Sequence, residues 1–222
     1  MVTYTGDVRP GGEPQVRDLG RLRVTKLAVD PEMSNNCYLL ECTESGEVVL
    51  VDAAAEAPRL LELLGDRPLA TVVTTHRHWD HHRALAEVVG ATGAGVVAGA
   101  PDAEAITEQT GVAVTRRVGD GDRVAVGACE LEVVAVAGHT PGSICLYWPE
   151  EGGHLFTGDS LFPGGVGATF GDAEAFATLI DQVEEKLFAR YGDQVWLYPG
   201  HGGDSTLGAE RPHLPEWRER GW

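Results

Sequence analysis

The chain has 222 residues and a formal net charge of −17, enough length for one full-sized domain with a sizeable core. The acidic excess argues against nucleic acid or an anionic membrane surface as partner, since both attract positive charge. The four cysteines, Cys37, Cys42, Cys129 and Cys145, form no C-x-x-C pair and lie in or beside apolar runs, so buried free thiols are expected.

Residues 1–20 are polar and rich in Gly and Pro and read as a lead-in, either loose or an edge strand. The start lacks a basic segment followed by an apolar core, and no apolar run is long enough to span a bilayer. A cytoplasmic enzyme acting on a small molecule is expected, its oligomeric state left open. Residues 21–222 read as a single domain, because no linker-like segment breaks them. Apolar, β-type runs predict strands over 21–29, 36–42 and 47–51. Helical spacing over 58–64, stopped by Gly65, predicts a helix. A strand at 70–74, a helix from 84, a strand at 95–98 and a helix at 101–109 follow, with Pro101 suited to a first helical turn. Strands are then predicted over 112–118, 123–126, 130–136, 143–148 and 154–156, separated by Gly-rich turns as in a meander. Residues 172–191 form a long amphipathic stretch with Phe176, Leu179, Ile180, Val183, Leu187 and Phe188 on one face, best explained as core packing. A strand at 194–198 exits through Pro199, Gly200, His201 and Gly202. Strands and helices interleave too much for an all-β sandwich, while consecutive strands are too common for a doubly wound sheet. The expected class is therefore α/β (α+β), two mixed sheets packed together with helices outside.

Chemistry concentrates between the strand at 70–74 and the helix from 84. There His76, His78, Asp80, His81 and His82 fall within seven residues. A histidine-rich turn can be a solvated loop, but so many titratable groups in one turn are costly without a compensating cation or solvent. Imidazoles with a carboxylate suit zinc, iron or manganese better than calcium or magnesium. Three further ligands each end a strand after a glycine: His139 after Gly138, Asp159 after Gly158, and His201 after Gly200. His154 and His213 lack that context. His82 adjoins His81 and reads as a supporting or helix-capping residue, since neighbouring side chains rarely point the same way. Five imidazoles and two carboxylates exceed one tetrahedral site and suit two ions about 3.5–4 Å apart that share a carboxylate and a hydroxide.

His76-x-His78-x-Asp80-His81, His139 in Gly-His-Thr-Pro-Gly-Ser, Asp159 in Thr-Gly-Asp-Ser and His201 in Pro-Gly-His-Gly together resemble the metallo-β-lactamase-fold superfamily over most of the chain. The resemblance implies a four-layer αββα sandwich with two divalent ions at one edge, zinc first, with iron or manganese as alternatives. It implies His76, His78 and His139 on one ion, Asp80, His81 and His201 on the other, and Asp159 bridging. Asp52 matches an aspartate that supports the histidine loop. True β-lactamases of this fold carry cysteine or serine where Asp159 stands. Asp159 is thus similar to the glyoxalase II type, which hydrolyses thioesters of small thiols. A flavodiiron protein, which needs a flavodoxin domain, and a nuclease member, which carries extra domains and would suit a less acidic chain, are not expected. A lactonase or a mono-iron persulfide dioxygenase on the same fold remains open, and a metal-binding scaffold is the non-enzymatic rival. Only about twenty residues follow His201, so the glutathione-binding helical extension of longer glyoxalase II proteins is not expected. The tail resembles the short single-domain type, and Ala168 stands where the family's loop beside the metals usually has arginine. The expected reaction is thioester hydrolysis through a metal-bridging hydroxide, with Asp80 and Asp159 as the catalytic carboxylates.

Overall fold

The computed structural model describes residues 4–221, so the first three residues of the lead-in and the final residue lie outside the described residues. The first sheet has seven strands in sequence order: β1 (Gln15–Leu19), β2 (Leu22–Val29), β3 (Asn35–Cys42), β4 (Val48–Val51), β5 (Leu69–Thr74), β6 (Gly95–Gly99) and β7 (Arg116–Val118). β1 to β4 pair antiparallel, and β4 to β7 pair parallel. Parallel neighbours need crossovers. These are the helices α1 (Ala57–Leu64), α2 (Leu85–Thr92) and α3 (Ala103–Thr110).

The second sheet is built from β8 (Arg123–Val126), β9 (Cys129–Ala135), β10 (Ile144–Trp148) and β11 (His154–Gly158), an antiparallel meander. A short hairpin, β12 (Leu161–Phe162) with β13 (Gly165–Val166), follows. The helix α4 (Ala173–Gln182), whose end continues in π geometry over Val183–Phe188, then crosses to β14 (Trp196–Pro199), which lies parallel to β11. β15 (Ser205–Thr206) closes that edge, and α5 (Leu207–Glu210) and α6 (Leu214–Arg220) follow.

Side-chain alternation divides the core into three apolar layers. Leu22, Val24, Leu40, Val49 and Val73 face Leu131, Val133, Ile144, Leu146 and Phe156 between the sheets. Leu27, Leu39, Leu50 and Val72 face the other way, onto Leu60 and Leu64 of α1 and Leu85 and Val88 of α2. On the far side, Val134, Cys145 and Leu155 meet Phe176, Leu179, Ile180 and Trp217. These layers make the αββα sandwich. All four cysteines are buried and free. Among the described residues no helix is long and apolar enough to cross a membrane.

One stretch differs from its sequence reading. Of residues 112–118 only Arg116–Val118 is strand, and it extends the first sheet instead of opening the meander. Before it, Thr115 donates its main-chain N–H to Val96 O at 2.9 Å, and its Oγ1 bonds both the N–H and the carbonyl of Val96, while Val112 and Val114 pack onto the helical layer. The polar tail, where the sequence predicts no element, is helical, with Leu207, Leu214 and Trp217 packed against the layer that holds Phe188. Of the two readings of the lead-in, the edge strand holds: it supplies β1, and Tyr4 donates to Asp204 at 2.7 Å.

Candidate metal centre

The donors converge at one rim of the sandwich, where β4, β5, β9, β11 and β14 end. His76 and His78 follow β5, and Asp80 and His81 lie in the 3-10 turn Trp79–His81. Main-chain strain and close packing serve this convergence. Asp52, just past β4, takes a left-handed φ of 59°. A Cβ on Gly200 would stand 2.1 Å from Asp159 Oδ1 and 2.7 Å from His81 Cε1, so only glycine fits there. The exit turn bearing His201 is fixed from β3: the Asn36 amide and the Tyr38 hydroxyl donate to Pro199 O at 2.9 and 2.6 Å.

Hydrogen-bond partners assign the imidazole tautomers. His139 Nδ1 donates to Ala168 O, and His201 Nδ1 to Met33 O, each at 2.8 Å. His81 Nδ1 donates to Asp52 Oδ2 at 2.8 Å. The Thr75 hydroxyl also donates to Asp52 Oδ2, so it accepts from His76 Nδ1 at 3.0 Å. Four Nε2 lone pairs therefore face inward, and His78 offers Nδ1 to the same space. Asp52, which also accepts from Thr75 N at 2.8 Å, orients both the loop and His81.

The inward atoms form two groups. His76 Nε2, His78 Nδ1 and His139 Nε2 are separated by 3.1, 2.9 and 3.3 Å. Asp80 Oδ2, His81 Nε2 and His201 Nε2 are separated by 3.5, 3.4 and 3.2 Å. A tetrahedral ion with bonds of about 2.0–2.1 Å spaces its ligands roughly 3.3 Å apart. Asp159 faces both groups, with Oδ1 3.3 Å from His81 Nε2 and Oδ2 3.6 Å from His139 Nε2 and 3.4 Å from His201 Nε2. Its buried Oδ1 has no hydrogen-bond partner. Lone pairs crowded at this range, with a buried carboxylate oxygen unmatched, fit a cation.

The electrostatics agree. Burial pushes His76 well below its ordinary pKa, His78 down to about 4, and His139 down, with neighbouring imidazoles adding to the effect. Burial also opposes charge on His81 and His201, but the carboxylates around them outweigh it: His81 rises well above its ordinary value and His201 to about 9. Burial disfavours ionised Asp80 and Asp159, yet His201 and His81 hold both below the usual carboxylate range. Without a cation, protons on His81 and His201 supply the positive charge the two aspartates demand.

The structure brings together all seven residues singled out in the sequence: His76, His78, Asp80, His81, His139, Asp159 and His201. His82 turns away, with Nε2 3.1 Å from Arg77 O. His154 is buried against the Tyr198 hydroxyl. Two residues escaped the sequence reading. Asn35 donates to Asp80 Oδ2 at 2.9 Å, and its only sequence signal is a polar pair opening an apolar strand. Asp102 looks like an ordinary helix opener, but its carboxylate caps no helix. It reaches Arg77 N at 3.0 Å, Gly142 N at 2.9 Å and Thr140 Oγ1 at 2.5 Å, tying the histidine turn to the His139 loop.

Residues 30–201 match the family model of the Metallo-beta-lactamase superfamily. The chain is 40% identical over 148 residues to a hydroxyacylglutathione hydrolase of Fuscovulum blasticum, covering 65% of this chain and 56% of that one. It is 34% identical over 178 residues to the mitochondrial persulfide dioxygenase ETHE1 of Homo sapiens, covering 78% and 65%. The crystal structure of ETHE1 from Myxococcus xanthus superposes with a TM-score of 0.75 at 30% identity, covering 88% of this chain and 84% of that one. The hydroxyacylglutathione hydrolases it matches are longer, and the matched region spans 51–60% of their length. The sandwich, the converging donors and the match over residues 30–201 lead to one conclusion: the chain belongs to the metallo-β-lactamase superfamily.

Proposed function

We propose that this chain is a metal-dependent hydrolase that cleaves the thioester of a small thiol. In this reading His76, His78 and His139 would hold one divalent ion, and Asp80, His81 and His201 a second, with Asp159, which faces both groups, available to either. Zinc is the first choice, with iron or manganese as alternatives. The observation that carries the reading is the pair of donor groups faced by the two oxygens of Asp159. The likeness to hydroxyacylglutathione hydrolases supports the choice of thioester.

Divalent ions held there supply Lewis acidity to a carbonyl oxygen and lower the pKa of water toward neutrality. The protein's part is orientation and proton traffic. Asn35 aims Asp80 by donating to its Oδ2 at 2.9 Å. Asp80 takes the proton released as water adds to the thioester carbonyl. It returns that proton to the sulfur as the carbon–sulfur bond breaks, giving a carboxylic acid and a thiol. Asp52 and Met33 O keep the imidazoles of His81 and His201 in the tautomer that leaves Nε2 free.

The test is hydrolysis of a panel of small-thiol thioesters, abolished by a chelator and restored by zinc, manganese or iron. Absence of turnover under all three metals contradicts the reading. The likeness to persulfide dioxygenase ETHE1 favours a second reading, oxidation of a persulfide with oxygen on a single iron. Sulfite release from a persulfide by the iron-loaded protein separates the two.

A further inference from the structure

A cavity of about 410 Å³ opens beside the donors, with His139 in its wall together with Arg77, Gly138, Thr169, Asp172 and Thr178. A second cavity of the same volume, lined by Gly12, Pro14 and Arg59, shares none of the donors. Arg77 is the one cationic side chain of the His139 cavity, in a chain whose net charge is −17. Its side chain is 42% exposed, and its Nε stands 3.9 Å from Asp102 Oδ1, beyond hydrogen-bond range. Asp102 is already committed to Arg77 N, Gly142 N and Thr140 Oγ1. Among the described residues the Arg77 guanidinium makes no hydrogen bond, so its planar fork of donors is unspent. The cavity's own acid, Asp172, is occupied too, since its Oδ1 accepts from Glu174 N and Ala175 N at the start of α4.

The surroundings add an apolar element. Of the large hydrophobic side chains exposed among the described residues, Phe170 stands against the donor imidazoles, while Met33 and Trp79 lie in segments that hold or carry donors. The Met33 carbonyl holds His201, Trp79 lies in the histidine turn, and the Phe170 ring is 5.7 Å from that of His78. Phe170 is 79% exposed and held at a φ of 54°, between two residues of the cavity wall. A ring kept in water in strained main chain calls for a ligand to cover it.

We propose that Arg77 is a specificity residue that binds a carboxylate of the substrate in the His139 cavity while Phe170 covers its apolar part. The thioester this chain prefers is thus an acidic one, a choice that rests on the hydrolase reading above. A guanidinium pairs a carboxylate through two parallel N–H donors, which a lysine cannot reproduce.

The experiment is a cycle of two charges on the zinc-loaded protein. Wild type, R77Q and R77K are assayed with S-acetyl-3-mercaptopropionate and with its neutral N-methylamide. R77Q is expected to lower kcat/KM for the acid about 10- to 100-fold, mainly through KM, the scale of a lost charged hydrogen bond. The neutral amide should change less than about threefold, and R77K should recover part of the loss. An equal fall for both substrates, as from a disturbed loop, overturns the proposal. Binding of 3-(benzylthio)propionate and its N-methylamide to the same proteins, by calorimetry, reads the cycle without turnover. If no thioester is hydrolysed, the hydrolase reading fails, and the binding cycle alone decides Arg77. A charge preference lost in R77Q upholds the proposal. A preference retained in full in R77Q, as when the carboxylate sits on the metal, overturns it.

Discussion

Asp52 offers the sharpest perturbation short of removing a ligand, since it touches none of the space between the donor groups yet accepts from Thr75 N, Thr75 Oγ1 and His81 Nδ1, each at 2.8 Å. In Asp52→Ala all three donors lose their partner in a buried setting. Supporting residues of this kind change metal affinity by about 10- to 100-fold, or roughly 1.4–2.8 kcal/mol. The metal-free fold should also lose about 1–3 kcal/mol for donors left unmatched. Asp52→Asn is the more telling variant. It keeps the volume and one acceptor for Thr75 N, but its amide then faces His81 Nδ1. The imidazole must move its proton to Nε2, where it blocks coordination. Zinc affinity, measured by competition with a chromophoric chelator, should therefore fall about as far in Asp52→Asn as in Asp52→Ala, while urea unfolding of the metal-free protein shows Asp52→Asn the milder of the two. Undiminished zinc affinity in Asp52→Asn would refute the tautomer argument.

Gly200→Ala puts a Cβ 2.1 Å from Asp159 Oδ1. It should cost at least one metal equivalent by elemental analysis while the far-ultraviolet circular dichroism is unchanged. Lys26 and Asp204 form an ion pair at 2.6 Å with both side chains fully buried, and Lys26 also holds Gly202 O beside His201. Lys26→Met should destabilise by about 3–5 kcal/mol in urea, and Lys26→Met with Asp204→Leu should recover most of that loss. The pH dependence of the chelated protein follows from His201, whose folded pKa of about 9 exceeds its ordinary 6.5. A proton bound more tightly in the folded state stabilises fully below pH 6.5, and the contribution disappears as pH rises through 9. His76, His78 and His139 are depressed and act only below 6.5. The Tm of chelated protein should thus fall between pH 6.5 and 9.5, whereas the Tm gain on adding zinc should grow across the same range, because zinc must displace that proton. A flat chelated profile counts against the assignment.

The candidate donors were legible because each follows a strand, and three of them a strand and a glycine, a local pattern that survives in a single sequence. The layers were legible for a related reason. Alternation along β2 and β3 and helical spacing along α4 report which faces are buried. What could not be read depends on partners distant in the chain. Asn35 acquires meaning only when β3 meets the His201 turn, 166 residues away. Asp102 sits where any helix could begin, and its role depends on a loop some forty residues on. The helical tail carried no readable pattern because its apolar anchors, Leu207, Leu214 and Trp217, are few and set among charged and polar residues. Residues 112–115 have the composition of a strand, but Thr115 alone of them bonds β6, and its side chain takes the N–H of Val96 that a ladder partner would accept from.

The claim underlying all of this is that two cations share the carboxylate of Asp159. Anomalous diffraction from crystals grown with zinc, collected on both sides of the zinc edge, tests it directly. Two peaks are expected about 3.5–4 Å apart, one enclosed by His76, His78 and His139 and the other by Asp80, His81 and His201, with Asp159 touching both. A single peak, or a pair that leaves Asp159 without contact to one of them, would contradict the account.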